Sequence, residues 1–498
     1  MKFLVFGCSL FLSGAAAWGQ DWVSLDARSR ALGGAGVAFA DGRGESAYWN
    51  PASLAVGAEK PLDFSTGFAF SISAFADAHV TGNVAADVNR IVDAYDFFNF
   101  LNVQSNFNAT PPTVNATDLQ NVLQIVDALS RLNDPGEGVL LHAGGSFNLR
   151  VGPFGLFVNA IGNVGAAPVV DLTGVGFSTN SAFFSAVPTA TPHTPTSAES
   201  NLSLALQTRG GLTPTVADNL AFQAQQGLGD AAISNPAFVN SMVALAQGTG
   251  NPTDLYNSPS GVFLRALAQV EAGVSFALPL FPTLLDVGVS FKEIISETSF
   301  RFLSYAEQDS GTDIGEAIRD DLLKKNRVRS TNFNMDLGAR AMPLEWLTMG
   351  LSVRNLIPMN IKYGGPGRMH MDPQVRFGAM ASALGFLKLG VDVDVLENES
   401  PVLPGYKTRN VGVGLEFDLP VLKIRIGYAD NLAFASDHGR LTAGIGFDIL
   451  GFVLDLGAQM SLNEITVEKA KLDGSESART FFADRVAAGI TLGINLPF

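Results

Sequence analysis

From residue 61 to the C-terminus one pattern dominates this chain: apolar and polar side chains alternate with a period of two, which places them on opposite faces of extended backbone. Val262, Leu264, Val270, Val274, Phe276 and Leu278 share one parity, and Arg265, Gln269, Glu271 and Ser275 the other. After residues 279–282 the pattern resumes with Leu285, Val287, Val289 and Phe291 against Asp286, Ser290 and Lys292. Phe64, Phe68, Phe70 and Ile72 open the series, and Val486, Ala488, Ile490, Leu492, Ile494, Leu496 and Phe498 close it. Counted by parity, the sequence predicts about fourteen strands, an even number within the range of single-chain outer-membrane barrels.

Such a chain has much apolar surface to hide, since 47% of its 498 residues are hydrophobic and only 16% are charged. Transmembrane helices do not solve this, because each needs about 18 nearly uninterrupted apolar residues. The richest stretch beyond the N-terminus, residues 262–291, is broken by Arg265, Glu271 and Asp286 and carries Pro279 and Pro282. Two folds keep the alternation: a soluble sandwich with its apolar faces inward, or a barrel with its apolar face toward lipid. The connections favour the barrel. Tight links at residues 152–153, 279–282, 343–346, 384–386, 419–420 and 450–451 alternate with longer ones, the longest at 73–138 and 164–261. Short turns at one rim and long loops at the other are what an outer-membrane barrel requires, and closure satisfies every strand edge in hydrocarbon. The expected fold class is all-β, a transmembrane antiparallel β-barrel. Arg340, Arg354, Arg376, Asp392, Asp394, Glu416, Arg425, Asp448 and Arg485 are out of phase with the apolar set and would line a polar lumen.

Lys2, the apolar residues 3–12 and the small residues Ala15, Ala17 and Gly19 read as an export signal over residues 1–19. The single cysteine, Cys8, lies inside it, so the rest of the chain can form neither disulfides nor thiolate sites. A net charge of −15 repels phosphates and argues against a nucleic-acid role. The chain carries no nucleophile elbow, zinc-protease motif or phosphate loop, and its five histidines lack metal-ligand spacing. Residues 369–372 read as a solvated loop rather than a soft-metal site. No catalysis, metal or cofactor is expected, and the expected compartment is the outer membrane of a Gram-negative-type envelope, in contact with its lipid.

Ahead of the first strand stand "ARSRALGGAGVA" at residues 27–38 and "YWNPASLA" at residues 48–55. With the strand count, these stretches resemble the FadL-like superfamily of outer-membrane transport barrels, whose relatives include conjugal-transfer TraF-like and PorV-like barrels. The resemblance implies a fourteen-stranded barrel with an N-terminal hatch folded into its lumen. The hatch would comprise residues 20–60, with Gly33, Gly34, Gly36, Trp49, Asn50, Pro51 and Ala52 as its marked positions, and the barrel residues 61–498. Phe498, a terminal aromatic on the apolar parity, resembles the signal by which the barrel-assembly machinery recognises its substrates.

Two external loops carry apolar stripes at helical spacing. Phe97, Phe98, Phe100 and Leu101 precede Leu119, Val122, Val126 and Leu129 in the first, and the second has helical patterns near residues 214–228 and 236–246. These stripes form either a small core capping the barrel mouth or a greasy groove that collects a hydrophobic small-molecule ligand. The resemblance implies passive uptake of hydrophobic or amphipathic molecules such as long-chain fatty acids. The alternatives are a non-transporting PorV-like scaffold for secretion or surface attachment, and a porin-like diffusion pore.

Overall fold

A computed structural model describes residues 22–87, 116–170, 187–247, 260–304, 327–469 and 478–496. Fourteen antiparallel strands close into one barrel, each paired with its neighbours in chain order. They are β1 (Phe68–Thr81), β2 (Gly138–Val151), β3 (Phe154–Val169), β4 (Gly261–Phe281), β5 (Leu285–Ser304), β6 (Val328–Leu344) and β7 (Leu347–Arg354). The circle continues with β8 (Gln374–Ala383), β9 (Leu387–Asp394), β10 (Asn410–Asp418), β11 (Leu422–Asn431), β12 (Arg440–Ile449), β13 (Phe452–Ser461) and β14 (Arg485–Leu496). Closure is the β1–β14 pairing, in register from Phe68 opposite Leu496 to His79 opposite Arg485. The wall is uneven, because β4 and β5 run 21 and 20 residues while β7 and β9 run eight each.

Parity settles which face is which. Along β12 and β13, Leu441, Ile445, Ile449, Phe452 and Leu456 are exposed on the outer face, while Arg440, Thr442 and Asp455 are buried within. A soluble sandwich would show the reverse; here the outer face of the barrel is the apolar one and the enclosed face the polar one.

The first and second loops are shorter than the sequence pattern indicates. β1 continues past residue 73 to Thr81, burying Ser73, Phe75, Asp77, His79 and Thr81 inward. Its outward positions are Ala74, Ala76, Ala78 and Val80, and the three alanines are too small to register as an apolar stripe. β3 likewise continues past residue 164 to Val169. Three small two-stranded sheets, Met359–Ile361 with Met369–Met371, Asn398–Glu399 with Lys407–Thr408 and Glu464–Lys469 with Ala478–Ala483, lie within segments read as plain loops.

The tight turns at the other rim are unusual in composition. Leu384-Gly385 and Leu450-Gly451 have φ of 54° and 72°, and 53° and 87°. Such two-residue hairpin turns favour Asn or Gly at the first position. A leucine in the left-handed region costs roughly 1–2 kcal/mol, and nothing among the described residues covers the side chain of Leu384 or Leu450.

Among the described residues, six α-helices accompany the barrel. α1 (Ala27–Ala31) and α2 (Ser46–Trp49) precede the barrel. α3 (Ala116–Arg131), α4 (Ser197–Thr208), α5 (Pro214–Ile233) and α6 (Pro236–Gln247) belong to the two long loops. Thr196 starts α4 by accepting the Glu199 N–H at 3.2 Å. Leu119, Val122, Leu123 and Val126 of α3 share one core with Leu202, Leu206, Leu220, Phe238 and Met242.

Candidate functional site

The lumen is filled by residues 22–58, almost all of them buried. Asp26 caps α1 by accepting the Ser29 N–H at 2.8 Å, and it also takes the Trp49 indole N–H at 2.7 Å. One carboxylate thereby ties the two conspicuous motifs together. Trp22 stacks on Trp49 with ring centroids 6.0 Å apart, and the Arg354 guanidinium lies 4.1 Å from the Tyr48 ring.

Three sets of contacts fasten this plug to the wall. The first is ionic: Arg28 donates from Nε and NH2 to the two oxygens of Glu416 at 2.9 and 2.8 Å. Glu416 also accepts from Arg425 Nε at 2.7 Å, and Arg425 donates to Asp455 at 2.7 Å. All these side chains are buried, which makes the bidentate and charge-assisted geometry necessary rather than ornamental. The second is a backbone clamp, in which Asp392 accepts the N–H groups of Gly36, Val37 and Ala38 at 2.8, 2.7 and 3.2 Å. The third is close packing. Asn50 donates to the Ala339 carbonyl at 2.9 Å, and a Cβ on Gly288 would lie 2.4 Å from the Ala52 nitrogen.

Gly33 shows why small residues are required. Its φ is +71°, and a Cβ there would sit 2.3 Å from the Tyr428 carbonyl oxygen. Gly33→Ala is expected to lower the thermal midpoint of the refolded barrel by several degrees, whereas Gly57→Ala, at φ +82° with open space around it, bears only the φ strain. A melt followed by near-ultraviolet circular dichroism separates the two.

The charged residues out of phase with the apolar set all point inward, and most are paired. Arg340 meets Asp286 at 3.1 Å, Arg354 meets Glu271 at 2.8 Å, Arg376 meets Asp394 at 2.7 Å and Arg485 meets Asp77 at 2.7 Å. Asp448 lies near the short-turn rim, 3.7 Å from Lys423.

Outward of the plug, toward the long loops, the lumen holds a cavity lined by Arg30, Arg376, Arg440, Arg485, Asp77 and Asp392 among others. Asp77 serves Arg485 and, at 3.9 Å, Arg30. Arg440 donates to Asn410 at 3.4 Å, while its buried Nε has no hydrogen-bond partner among the described residues. Cation therefore exceeds anion at this spot.

Next to the cavity the character of the lumen changes. Met359, Ile361, Met369, Met371, Val402, Leu403 and Tyr406 enter from the loops and pack against the inward-facing Leu140, Leu267 and Ile294. This corrects the reading of residues 369–372 as a solvated loop: Met369 and Met371 are buried, because their hairpin turns both toward the lumen. Tyr406 donates to Asp437 at 2.5 Å, and His79 lies 3.3 Å from the same carboxylate. Burial pushes the Asp437 carboxyl up, but the contacts from His79, Tyr406 and Asn431 outweigh it and hold the group well below the usual carboxylate range.

Of the candidate capture residues, Leu119, Val122 and Val126 are closed inside the core of the loop helices, and Leu129 is half-buried. Phe97, Phe98, Phe100 and Leu101 lie outside the described residues, as do residues 1–19 and Phe498. Asp77, Arg30, Arg440 and Tyr406 went unmarked in the sequence. Asp77 and Arg440 sit on strand parity, which is the signal that could have found them.

A closed fourteen-stranded antiparallel β-barrel with a plugged lumen is thus the class of protein that fold and site define. The chain belongs to the family described as "F plasmid transfer operon, TraF, protein", whose model matches residues 47–394. No curated protein matches it. Among solved structures, the P. putida toluene transporter TodX is similar at 10% identity and a TM-score of 0.42, over 97% of this chain and 99% of that one. The Ralstonia pickettii toluene transporter TbuX is similar at 13% identity and a TM-score of 0.43, over 97% and 99%. A Pseudomonas aeruginosa FadL homologue follows at 11% and 0.39, over 96% and 99%.

Proposed function

We propose that this barrel sits in the outer membrane and admits hydrophobic or amphipathic small molecules passively, with long-chain fatty acids the class that fits best. The observation that carries the reading is the zoning of the lumen. An apolar core built on Met359, Met369, Met371 and Leu403 adjoins an arginine-rich cavity, and the two meet where Leu140 pairs with His79, two residues along β1 from Asp77. An acyl chain in the first zone would place its carboxylate in the second, against Arg440 and Arg30. Residues 22–58 act as the hatch, and admission requires that they shift. Phe97, Phe98, Phe100 and Leu101 are proposed for capture together with α3, whose stripe becomes available only when the loop helices part. Phe498 serves assembly.

Binding to the refolded barrel is to be compared for a long-chain fatty acid and its methyl ester. A charge-assisted hydrogen bond is worth roughly 1.5–3 kcal/mol, so the acid should bind about ten- to a hundred-fold more tightly, and Arg440→Gln should remove most of that advantage. Equal binding of acid and ester would sink the head-group assignment while leaving hydrophobic uptake standing. Binding of neither would favour the scaffold reading, which the buried ion pairs holding the plug support.

A further inference from the structure

The turns joining β2 to β3, β4 to β5, β6 to β7, β8 to β9, β10 to β11 and β12 to β13 lie at one rim. Each of them exposes a large apolar side chain: Phe154, Phe281, Trp346, Leu384, Val421 and Leu450. Leu384 is 79% and Leu450 92% exposed. Hairpin tips that meet water are ordinarily built from Asn, Asp, Gly and Ser. Here two of the tips place leucine in a backbone conformation that disfavours it, as described above, and so are both strained and apolar at the same position.

The ring is continuous with the outer belt. Ile449 and Phe452 flank Leu450, and Leu389 and Phe386 lead down to Leu384. Four strand charges at the same level are turned the other way: Lys388, Asp418, Lys423 and Asp448 form a chain of ion pairs at 2.6, 2.6 and 3.7 Å on the inner side of these hairpins. Trp346 is a residue type that concentrates at the membrane interface.

The geometry points to a rim that is immersed in the bilayer, its turn tips covered by the acyl-chain boundary of the leaflet at the short-turn end. Lipid is the occupant because the apolar tips occur in all six turns around the rim and extend the lipid-facing belt, whereas a protein partner would mark one sector. The polar exceptions are Glu345, exposed beside Trp346 in the β6–β7 turn, and the link before β1, where Glu59 and Lys60 are exposed. The inner mouth of the barrel therefore opens at head-group depth, and the base of the plug is level with lipid.

The sequence has one cysteine, Cys8, so single thiols can be installed on a Cys8→Ser background at Leu384, Leu450 and, as the water-exposed reference, Lys60. In phospholipid nanodiscs a charged, membrane-impermeant maleimide should label Leu384→Cys and Leu450→Cys at least ten-fold more slowly than Lys60→Cys, with equal rates after denaturation. Equal rates in nanodiscs would overturn the proposal. Slow labelling in native outer-membrane vesicles combined with fast labelling in nanodiscs would overturn it in favour of a covering protein. Heat-modifiable gel migration checks that each variant folds, and Leu450→Trp gives a second readout: acyl-brominated lipid should quench its fluorescence, and an unquenched signal would also overturn the proposal.

Discussion

Glu416→Gln is expected to free the plug while leaving the barrel closed. Glu416 is fully buried and carries Arg28 from the plug and Arg425 from the wall on the same two oxygens, with Lys388 at 3.4 Å. Neutralising it leaves two buried guanidiniums without their shared counter-ion, a loss on the order of 3–5 kcal/mol when one partner of a buried pair is removed. Strand pairing across β10 and β11 is backbone hydrogen bonding and survives the change. In planar bilayers the variant should conduct ions where the native chain is nearly silent, and its gel migration should stay heat-modifiable. A variant that remains silent would show that the ionic cluster is not what retains the plug.

Asp392→Ala should act on the same plug from a different point. It strands the N–H groups of Gly36, Val37 and Ala38 in a buried setting, and an unsatisfied buried donor costs roughly 1–3 kcal/mol. The three losses will not add in full, because the freed segment can reorient. Asp392→Asn retains one acceptor oxygen and should show an intermediate leak. Amide hydrogen exchange gives the direct measure: residues 36–38 should exchange at least a hundred-fold faster in the alanine variant. Exchange confined to native rates would mean that neighbouring contacts, such as the Gly33 N–H on Thr442, suffice to hold the segment.

These two residues show how far the sequence could be read. Both were assigned to the lumen from parity alone, because inward or outward placement is a local property repeated every second residue. Their partners were not assigned. Arg28 and Glu416 are 388 residues apart, and Asp392 lies 356 residues from Gly36. No periodicity links such positions; only the closed circle of strands brings them face to face.

The loop helices show the opposite difficulty. The stripe at Leu119, Val122 and Val126 was plain, yet a stripe states only that a face will be covered. The cover proved to be α4, α5 and α6, so the residues form the core of a cap in this arrangement. The outer half of β1 escaped notice because alanines mark an outward face only weakly. The Met369–Met371 hairpin escaped because three-residue strands carry too few positions for a period to show.

The sequence by itself determined the strand number, the alternation of short and long connections and the sign of each face, since backbone pleat and side-chain polarity act residue by residue. Tertiary structure alone decided which buried charges neutralise one another, where the apolar loop core sits and where an arginine is left in excess. Those outcomes depend on the closed wall and on the plug it encloses, which set distances between positions hundreds of residues apart.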